Sequence, residues 1–336
     1  MADNPRAQDR REQQIEAHQP GRGRLAETPL EIPARGWRDI AWRVFAEISE
    51  DRIFLIAAGA TFYLLLALFP ALTAFVSLYG FVADPKTIAD HIAFLGGVLP
   101  AGGYELIRDQ LKALTAQNEE ALSWGFVAGL AVSIWSANNG IKSLFEGLNV
   151  AYGEREKRSF IVVNLISLTF TAGAMFVGIA LIFSVGVVPA VLAFLMLDHW
   201  TELLISALRW PILLVVVGAG ICLIFRYGPS RERAKWRWIT SGAAIATVVW
   251  LVASWGFSLY LQNFANYNAT YGSLGAVIGF MMWTWISVVI LLVGAELNAE
   301  MEHQTARDST TGAPQPLGER GAVMADTIGR AAGDDH

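Results

Sequence analysis

Six stretches of this sequence are apolar and almost free of charge over about 20 residues, the length that an α-helix needs to cross the hydrocarbon layer of a membrane. A soluble domain averages about 25% charged residues, whereas this chain has 16% charged and 54% hydrophobic residues. These features predict an all-α fold, that of a polytopic integral membrane protein with six transmembrane helices. The predicted spans are 53–82, 121–141, one that starts at Phe160, 207–225, 239–262 and 274–295.

The third stretch is unusual because residues 160–197 contain no charged side chain. It is too long for one span and short for two spans with a turn. Gly186 and Pro189 fall where a helix from Phe160 reaches the far side. We therefore expect one spanning helix followed by a short apolar segment that lies in or re-enters the membrane surface.

Lysine and arginine counts in the short loops predict the orientation of the spans. With the N-terminus in the cytoplasm, the inner segments 37–52, 142–159 and 226–238 hold twelve Lys or Arg residues, and the outer segments hold three. Both termini are therefore expected in the cytoplasm of a multi-pass protein of the cell inner membrane.

The segments outside the spans have their own signatures. Residues 37–52 place apolar side chains at helical spacing and predict an amphipathic helix on the inner surface. Residues 86–118 predict a helical hairpin on the outer face, broken near Pro100. We expect a transmembrane domain at 37–302 between two disordered cytoplasmic tails, 1–36 and 303–336.

Polar residues gather where the second predicted span meets the cytoplasm. Asn138 and Asn139 lie near its inner end, and Asn149 and Tyr152 follow. One interpretation is a helix end, an interfacial turn and a positively charged loop. The other is the inner mouth of a cavity, because amides are costly in hydrocarbon unless they find partners. Since membrane helices also use Asn to hydrogen-bond neighbouring helices, the residues do not separate the two interpretations.

Three further features are candidates for a cavity or gate. Glu296 lies in the inner end of the last span, where a carboxylate opposes the helix dipole and needs a partner; Arg158 or Arg226 could form an ion pair with it. A gate at Glu296 is the alternative. Pro70, midway along the first span, permits a helix kink. The uncharged segment 263–273 could shape an outer vestibule through Asn268, Thr270 and Tyr271.

Nuclease chemistry needs a metal held by carboxylates, or a pair of histidines. The five histidines lie in the tails, at the end of the last span or on the outer side, and no acidic cluster is expected to face the cytoplasm. We therefore predict no enzymatic activity, metal site or cofactor, and no nucleic-acid partner.

Four stretches resemble, in this order, the YihY/BrkB family of bacterial inner-membrane proteins, and together they fall within residues 37–300. The resemblance implies six helices and two cytoplasmic termini. The family once carried a ribonuclease label and is described as a transporter or serum-resistance factor, and neither description supplies catalytic residues. The stretches are FYLLLALFPALTAFVSLYGFVADP (62–85), WSANNGIKSLFEGLNVAYGEREKRS (135–159), RYGPSRERAKWRWITSGA (226–243) and NATYGSLGAVIGFMMWTWISVVILLVGAELNAE (268–300).

The expected function is passage of a substrate across or within the inner membrane, by a transporter or translocase. With so few charges in the spans, the expected substrate is a lipid, an amphiphile or a small neutral solute. The alternative is a structural or assembly protein of the cell envelope without transport activity. Membrane lipids are the expected partners, and self-association into a homo-oligomer is left open.

Overall fold

The regular structure of this chain is helical. The computed structural model describes residues 18–82, 119–182, 199–263 and 274–333, and in them the extended pairing amounts to one antiparallel bridge between Ala234 and Thr310. The predicted all-α fold is confirmed. After a 3-10 helix at Pro29–Glu31, the helices are α1 (Ala34–Glu50), α2 (Ile53–Val82), α3 (Glu119–Ala151), α4 (Phe160–Ile182), α5 (His199–Tyr227), α6 (Trp236–Asn263), α7 (Gly275–His303) and α8 (Val323–Asp326).

Four helices in the described part of the chain are long and apolar enough to cross a membrane, through Ile53–Ala71, Phe160–Val177, Trp236–Leu261 and Val277–His303. Helix α5 contributes a shorter apolar stretch, Leu214–Tyr227. Helix α3 covers the second predicted span but is not among the four. The membrane character of the chain is therefore established, and the count of six spans stays a prediction.

The chain divides into two compact units. Unit 1 is Met1–Ile56, Leu144–Trp250 and Val289–His336, and unit 2 is Ala57–Ser143 and Leu251–Val288. Unit 1 therefore joins both ends of the described chain to α1, α4, α5 and parts of α2, α3, α6 and α7. The predicted outer hairpin at 86–118 and most of segment 263–273 lie outside the described residues.

The amphipathic helix predicted at 37–52 is present as α1, which begins at Ala34 and ends at Glu50. Its apolar face contacts protein: Ile40 is fully buried in a cluster with Trp238 and Met301. Two charged side chains of α1, Asp39 and Arg43, are buried as well. Helix α1 is therefore packed into unit 1 and does not lie only on a membrane surface, since polar groups of unit 1 bind its charged side chains.

The prediction of disordered tails is wrong for residues 18–36 and 303–333. Arg24 is fully buried and donates hydrogen bonds to the carbonyl oxygens of Gln304 (3.2 Å) and Gly329 (2.8 Å). Arg320 donates to the carbonyls of Ala306 and Ala325, both at 2.7 Å. The tails are ordered because their arginines satisfy buried backbone carbonyls, which a polar composition alone does not reveal.

Helix α3 ends at a glycine turn that positions the next loop. Gly153 has φ 62°, a left-handed conformation that glycine adopts at low cost. The N–H of Gly153 donates to the Val150 carbonyl (2.8 Å), and the N–H of Glu154 donates to the Asn149 carbonyl (2.7 Å). This helix end directs residues 154–159 towards the start of α4.

Candidate functional site

The loop after α3 is attached to the loop after α5 through Asn149. Its side-chain oxygen accepts a hydrogen bond from the Ser230 backbone N–H (2.7 Å), and its amide nitrogen donates to Glu156 (3.2 Å). Asn149 is buried. Its polar atoms therefore connect two loops of unit 1.

Tyr152 lies beside this connection and is also buried. The Arg231 guanidinium lies 4.7 Å from the centre of the Tyr152 ring, a cation–π geometry. Burial raises the pKa of Tyr152 well above its usual value, and the Glu302 carboxylate raises it further. The Asn298 side chain lies beside the Tyr152 hydroxyl.

Arg158 is held by groups within unit 1. Its guanidinium donates to both carboxylate oxygens of Glu156, at 2.8 and 2.7 Å, and to the carbonyls of Tyr227 (3.0 Å) and Gly228 (2.7 Å). These hydrogen bonds from Arg158 lower the pKa of Glu156 to about 2. Arg158 therefore fixes the start of α4 against the end of α5.

The predicted ion pair of Glu296 with Arg158 or Arg226 is not formed. Arg158 binds Glu156, and Arg226 donates to the Ala234 carbonyl and lies over the Trp236 ring at 4.4 Å. Glu296 is fully buried, and the polar group beside its carboxylate is the Asp51 carboxyl, not an arginine. Stacking on Trp236 holds the Arg226 guanidinium away from Glu296.

Acidic groups surround Glu296 in unit 1. Asp51, Glu300 and Glu47 are its charged neighbours. Burial raises the pKa of Asp51; the hydrogen bond with Glu296 acts in the opposite direction, and the Glu50 and Glu300 charges add to the rise. Burial likewise raises the pKa of Glu47. No group of three or more His, Cys, Asp or Glu side chains in the described ranges has a geometry that could hold a metal ion.

A cavity of about 310 Å³ opens in unit 1 at the ends of α4 and α5. Gly321 of the C-terminal segment forms part of its wall, and the Gly321 carbonyl accepts a hydrogen bond from the Glu232 N–H (3.1 Å). One acidic residue, Glu232, lines the cavity, against five basic ones: Lys157, Arg158, Arg226, Arg231 and Arg233. The structure thus places both arginines singled out for Glu296 in the wall of a basic cavity.

In unit 2, Asn138 is buried and Asn139 is half-buried. The side-chain oxygen of Asn138 and the hydroxyl of its neighbour Ser136 have no hydrogen-bond partner among the described residues. Because buried polar atoms are nearly always paired with protein or water, these two atoms are the clearest sign of a polar site in unit 2.

The remaining predicted residues are placed in part. Asn268, Thr270 and Tyr271 lie outside the described residues. Pro70 lies inside α2, which runs from Ile53 to Val82 through the proline, and a kink there stays a prediction. The gate at Glu296 and the cavity at Asn138 and Asn139 also stay predictions.

Sequence reasoning missed the buried arginines that join the ends of the chain. Arg43 bonds to Glu300, to the Gln304 side chain (2.7 Å) and to the Arg330 carbonyl (2.6 Å). Arg22 binds Asp39 at 2.6 Å. These partners are up to 287 residues apart in sequence. Asp39 and Arg43 are two of several charged residues of the amphipathic helix α1, so no signal in the sequence separates these two from the others.

The sequence matches a known protein family and named relatives. The profile of the family described as virulence factor BrkB matches residues 44–317. The ribonuclease-like protein YfkH of Bacillus subtilis (strain 168) is 31% identical over 263 residues, which cover 72% of this chain and 88% of that protein. No solved structure matches the chain.

Two further relatives are named as membrane proteins. A UPF0761 membrane protein of Stenotrophomonas maltophilia (strain K279a) is 27% identical over 75% of this chain, and one of Neisseria meningitidis serogroup B is 24% identical over 78%. The chain spans 58% and 63% of the lengths of these two relatives. Because the family profile extends over most of the sequence, the chain belongs to the virulence factor BrkB family of membrane proteins.

Proposed function

We propose that this protein lies in the bacterial inner membrane with both termini in the cytoplasm, and that it moves a lipid, an amphiphile or a small neutral solute across that membrane. The excess of Lys and Arg in alternate loops supports the orientation. In this orientation unit 1, with both chain ends, includes the cytoplasmic side of the protein. Membrane lipids are the proposed partners.

The observation that carries the transport proposal is the pair of unpartnered polar atoms on α3. Ser136 is fully buried and Asn138 is 5% exposed. The Ser136 hydroxyl and the side-chain oxygen of Asn138 have no hydrogen-bond partner in the described part of the chain. An unpaired buried polar group costs roughly 1–3 kcal/mol. A path that admits water or a polar headgroup would satisfy both atoms.

Other polar side chains of unit 2 behave differently. The hydroxyls of Thr61 and Thr284 each donate to the carbonyl four residues earlier, Ala57 (2.7 Å) and Phe280 (2.8 Å). Trp283 donates to the Ser254 hydroxyl (3.2 Å). Since these side chains find hydrogen-bond partners within unit 2, the unpaired atoms of Ser136 and Asn138 are a local feature of α3.

A lipid or amphiphile is the favoured substrate class because α4 and α6 present long apolar surfaces. Only 11% of the apolar window of each helix is buried within the protein, so most of each surface is left for acyl chains. A substrate with an apolar part could keep that part in the bilayer beside such a surface.

A structural or assembly role in the envelope is the second candidate. The ion pairs Arg43–Glu300 and Arg231–Glu302 bind the C-terminal end of α7 to α1 and to the loop after α5. A unit held by buried charges suits a rigid scaffold. We assign no enzymatic role, and the ribonuclease-like name describes the Bacillus relative alone.

The test is lipid movement in liposomes. The purified full chain is reconstituted with a headgroup-labelled phospholipid, and an impermeant quencher is added outside. We expect the label to fall below the inner-leaflet plateau of protein-free vesicles. A parallel arm measures osmotic swelling with glycerol, a neutral solute. Loss of label supports lipid movement, swelling alone supports solute passage, and no change in either arm favours the structural role.

A further inference from the structure

The basic cavity of unit 1 lies where three apolar helical segments meet the polar loops. Lys157 and Arg158 directly precede α4, Arg226 is in the last turn of α5, and Arg233 precedes α6. The apolar parts of these helices are Phe160–Val177, Leu214–Tyr227 and Trp236–Leu261. The cavity is therefore at the level where a membrane-embedded chain meets water.

Protein carboxylates neutralise some of the cavity's cations but not all of them. Arg158 is paired with Glu156, Arg231 with Glu302, and Lys157 with Glu154. Arg226 and Arg233 have no carboxylate partner among the described residues. Arg233 instead lies over the Tyr227 ring at 5.1 Å. With the Glu232 carboxylate also in the wall, these two guanidinium groups still leave an excess of positive charge that an anion would balance.

Arg226 also has an unused donor. One of its terminal nitrogens donates to the Ala234 carbonyl, and stacking at 4.4 Å on Trp236 fixes the plane of the guanidinium. Its Nε is buried and has no hydrogen-bond partner in the described part of the chain. Charged N–H groups form strong hydrogen bonds with phosphate oxygens, and arginine presents them in a fixed planar array.

The surroundings of the cavity suit an acyl chain beside an anionic group. Ile166 of α4 lines the cavity, and Phe160 and Ile161, at the start of α4, are 80% and 76% exposed. Trp236 is 47% exposed and stacks on Arg226. Aromatic residues of this kind are enriched at membrane–water interfaces. A cavity of about 310 Å³ is large enough for a small headgroup.

We propose that this cavity is a binding site for a phosphate group, carried by an anionic lipid whose acyl chains lie along α4. Arg226 and Arg233 donate to the phosphate oxygens, and the exposed face at Phe160 and Ile161 contacts the chains. Basic pockets between membrane helices on the cytoplasmic side are suited to anionic headgroups. The site goes beyond the proposed transport function, because it requires binding and no movement of the lipid.

The test compares lipid binding by three forms of the full chain. The wild type, Arg233→Gln and Arg155→Gln are placed in nanodiscs of phosphatidylcholine with increasing phosphatidylglycerol, and bound lipid is counted by native mass spectrometry after release. Arg155 is the matched control, because it is an exposed arginine of the same loop as Arg158 and does not line the cavity. We expect Arg233→Gln to weaken phosphatidylglycerol binding roughly fivefold and Arg155→Gln less than twofold.

A second arm separates lipid from free phosphate. Inorganic phosphate and glycerol 3-phosphate are titrated into the protein in neutral detergent, with thermal unfolding as the readout. If phosphatidylglycerol stays bound while phosphate is added, the ligand of the cavity is the lipid. If phosphate itself binds and Arg233→Gln weakens that binding, the ligand is a soluble phosphate at the same cations. Equal effects of Arg233→Gln and Arg155→Gln, or no effect of Arg233→Gln, overturn the site. Because no arm measures flux, failure of this site and failure of transport are distinct results.

Discussion

Arg231 and Glu302 form a two-pronged ion pair that is almost completely buried. The guanidinium nitrogens lie 3.2 and 2.6 Å from the two carboxylate oxygens, and the side chains are 4% and 0% exposed. Ser309 also donates to Glu302 at 2.7 Å, and the Tyr152 ring faces the guanidinium. This pair joins the end of α7, the loop after α5, the end of α3 and the C-terminal segment.

The first prediction concerns this pair. Glu302→Ala leaves a buried guanidinium without its counter-charge, so it should lower the free energy of unfolding by about 3–5 kcal/mol. Thermal or denaturant unfolding in detergent measures the effect. The exposed pair Glu27–Arg237, at 4.0 Å, is the control; Glu27→Ala should cost less than about 1 kcal/mol. Equal costs for the two variants would contradict burial of the Arg231–Glu302 pair.

The second prediction concerns the contact between α6 and α7 at Gly242. The Asn298 side chain accepts a hydrogen bond from the Gly242 N–H (3.0 Å) and donates to the Ile239 carbonyl (3.3 Å). A Cβ at Gly242 would lie 2.2 Å from the Asn298 oxygen. Gly242→Ala must displace this amide and should destabilise unit 1 by roughly 1–3 kcal/mol.

Gly256→Ala is the matched control on the same helix, because a Cβ there meets no atom within 4 Å. Replacing a helical glycine with alanine in open space should raise stability by about 0.5–1 kcal/mol. The two variants should therefore shift the unfolding midpoint in opposite directions. A shift in the same direction would show that Asn298 does not make this contact.

The third prediction tests whether the C-terminal segment is part of the fold. Truncation after His303 removes the Gln304 and Gly329 carbonyls that Arg24 binds and the Arg330 carbonyl that Arg43 binds, so each buried donor left unpaired should cost roughly 1–3 kcal/mol. Truncation after Gly333 should have no measurable effect. Unfolding midpoints and protease resistance of the two truncated proteins measure the difference, and identical stability would restore the view of a disordered tail.

The fourth prediction is a pH dependence at Asp51. Because the folded-state pKa of this carboxyl is raised, the folded protein holds its proton more tightly than the unfolded chain, whose pKa is near 3.9. Its stabilising contribution is present below that unfolded value and is lost as pH rises through the raised pKa. Asp51→Asn should therefore stabilise the protein more at about pH 8 than at about pH 4. Unfolding midpoints of Asp51→Asn and the wild type measured across pH test this expectation, with Glu319→Gln, an exposed acid of the C-terminal segment, as the control. A difference between Asp51→Asn and the wild type that stays constant with pH would contradict the raised pKa.

Local patterns in the sequence were sufficient for the helices and insufficient for their polar contacts. The apolar run from Ile53 and the periodicity around Ile40 each identify a helix, because both signals reside in neighbouring residues. Arg24 and Gly329 meet only in the folded chain, 305 residues apart. No local pattern encodes that contact. The polar composition of the tails therefore led to a prediction of disorder.

The candidate site shows the same limit. Asn149 and Tyr152 were identified as polar residues near a membrane edge, and the structure gives Asn149 two hydrogen-bond partners in unit 1. The loop arginines were identified as membrane-orienting charge. Their position around one cavity depends on how α4 and α5 end, which a count of charges in loops does not contain.

The most direct test of transport is labelled-lipid movement through the Asn138→Leu variant. Replacing a buried amide whose oxygen is unpaired should raise the unfolding midpoint, so reduced flux could not be attributed to unfolding. If Asn138 serves the moving headgroup, label loss should fall towards that of protein-free vesicles while stability rises. Undiminished label loss in a stabilised Asn138→Leu protein, or no label loss with the wild type, would contradict lipid movement past Asn138.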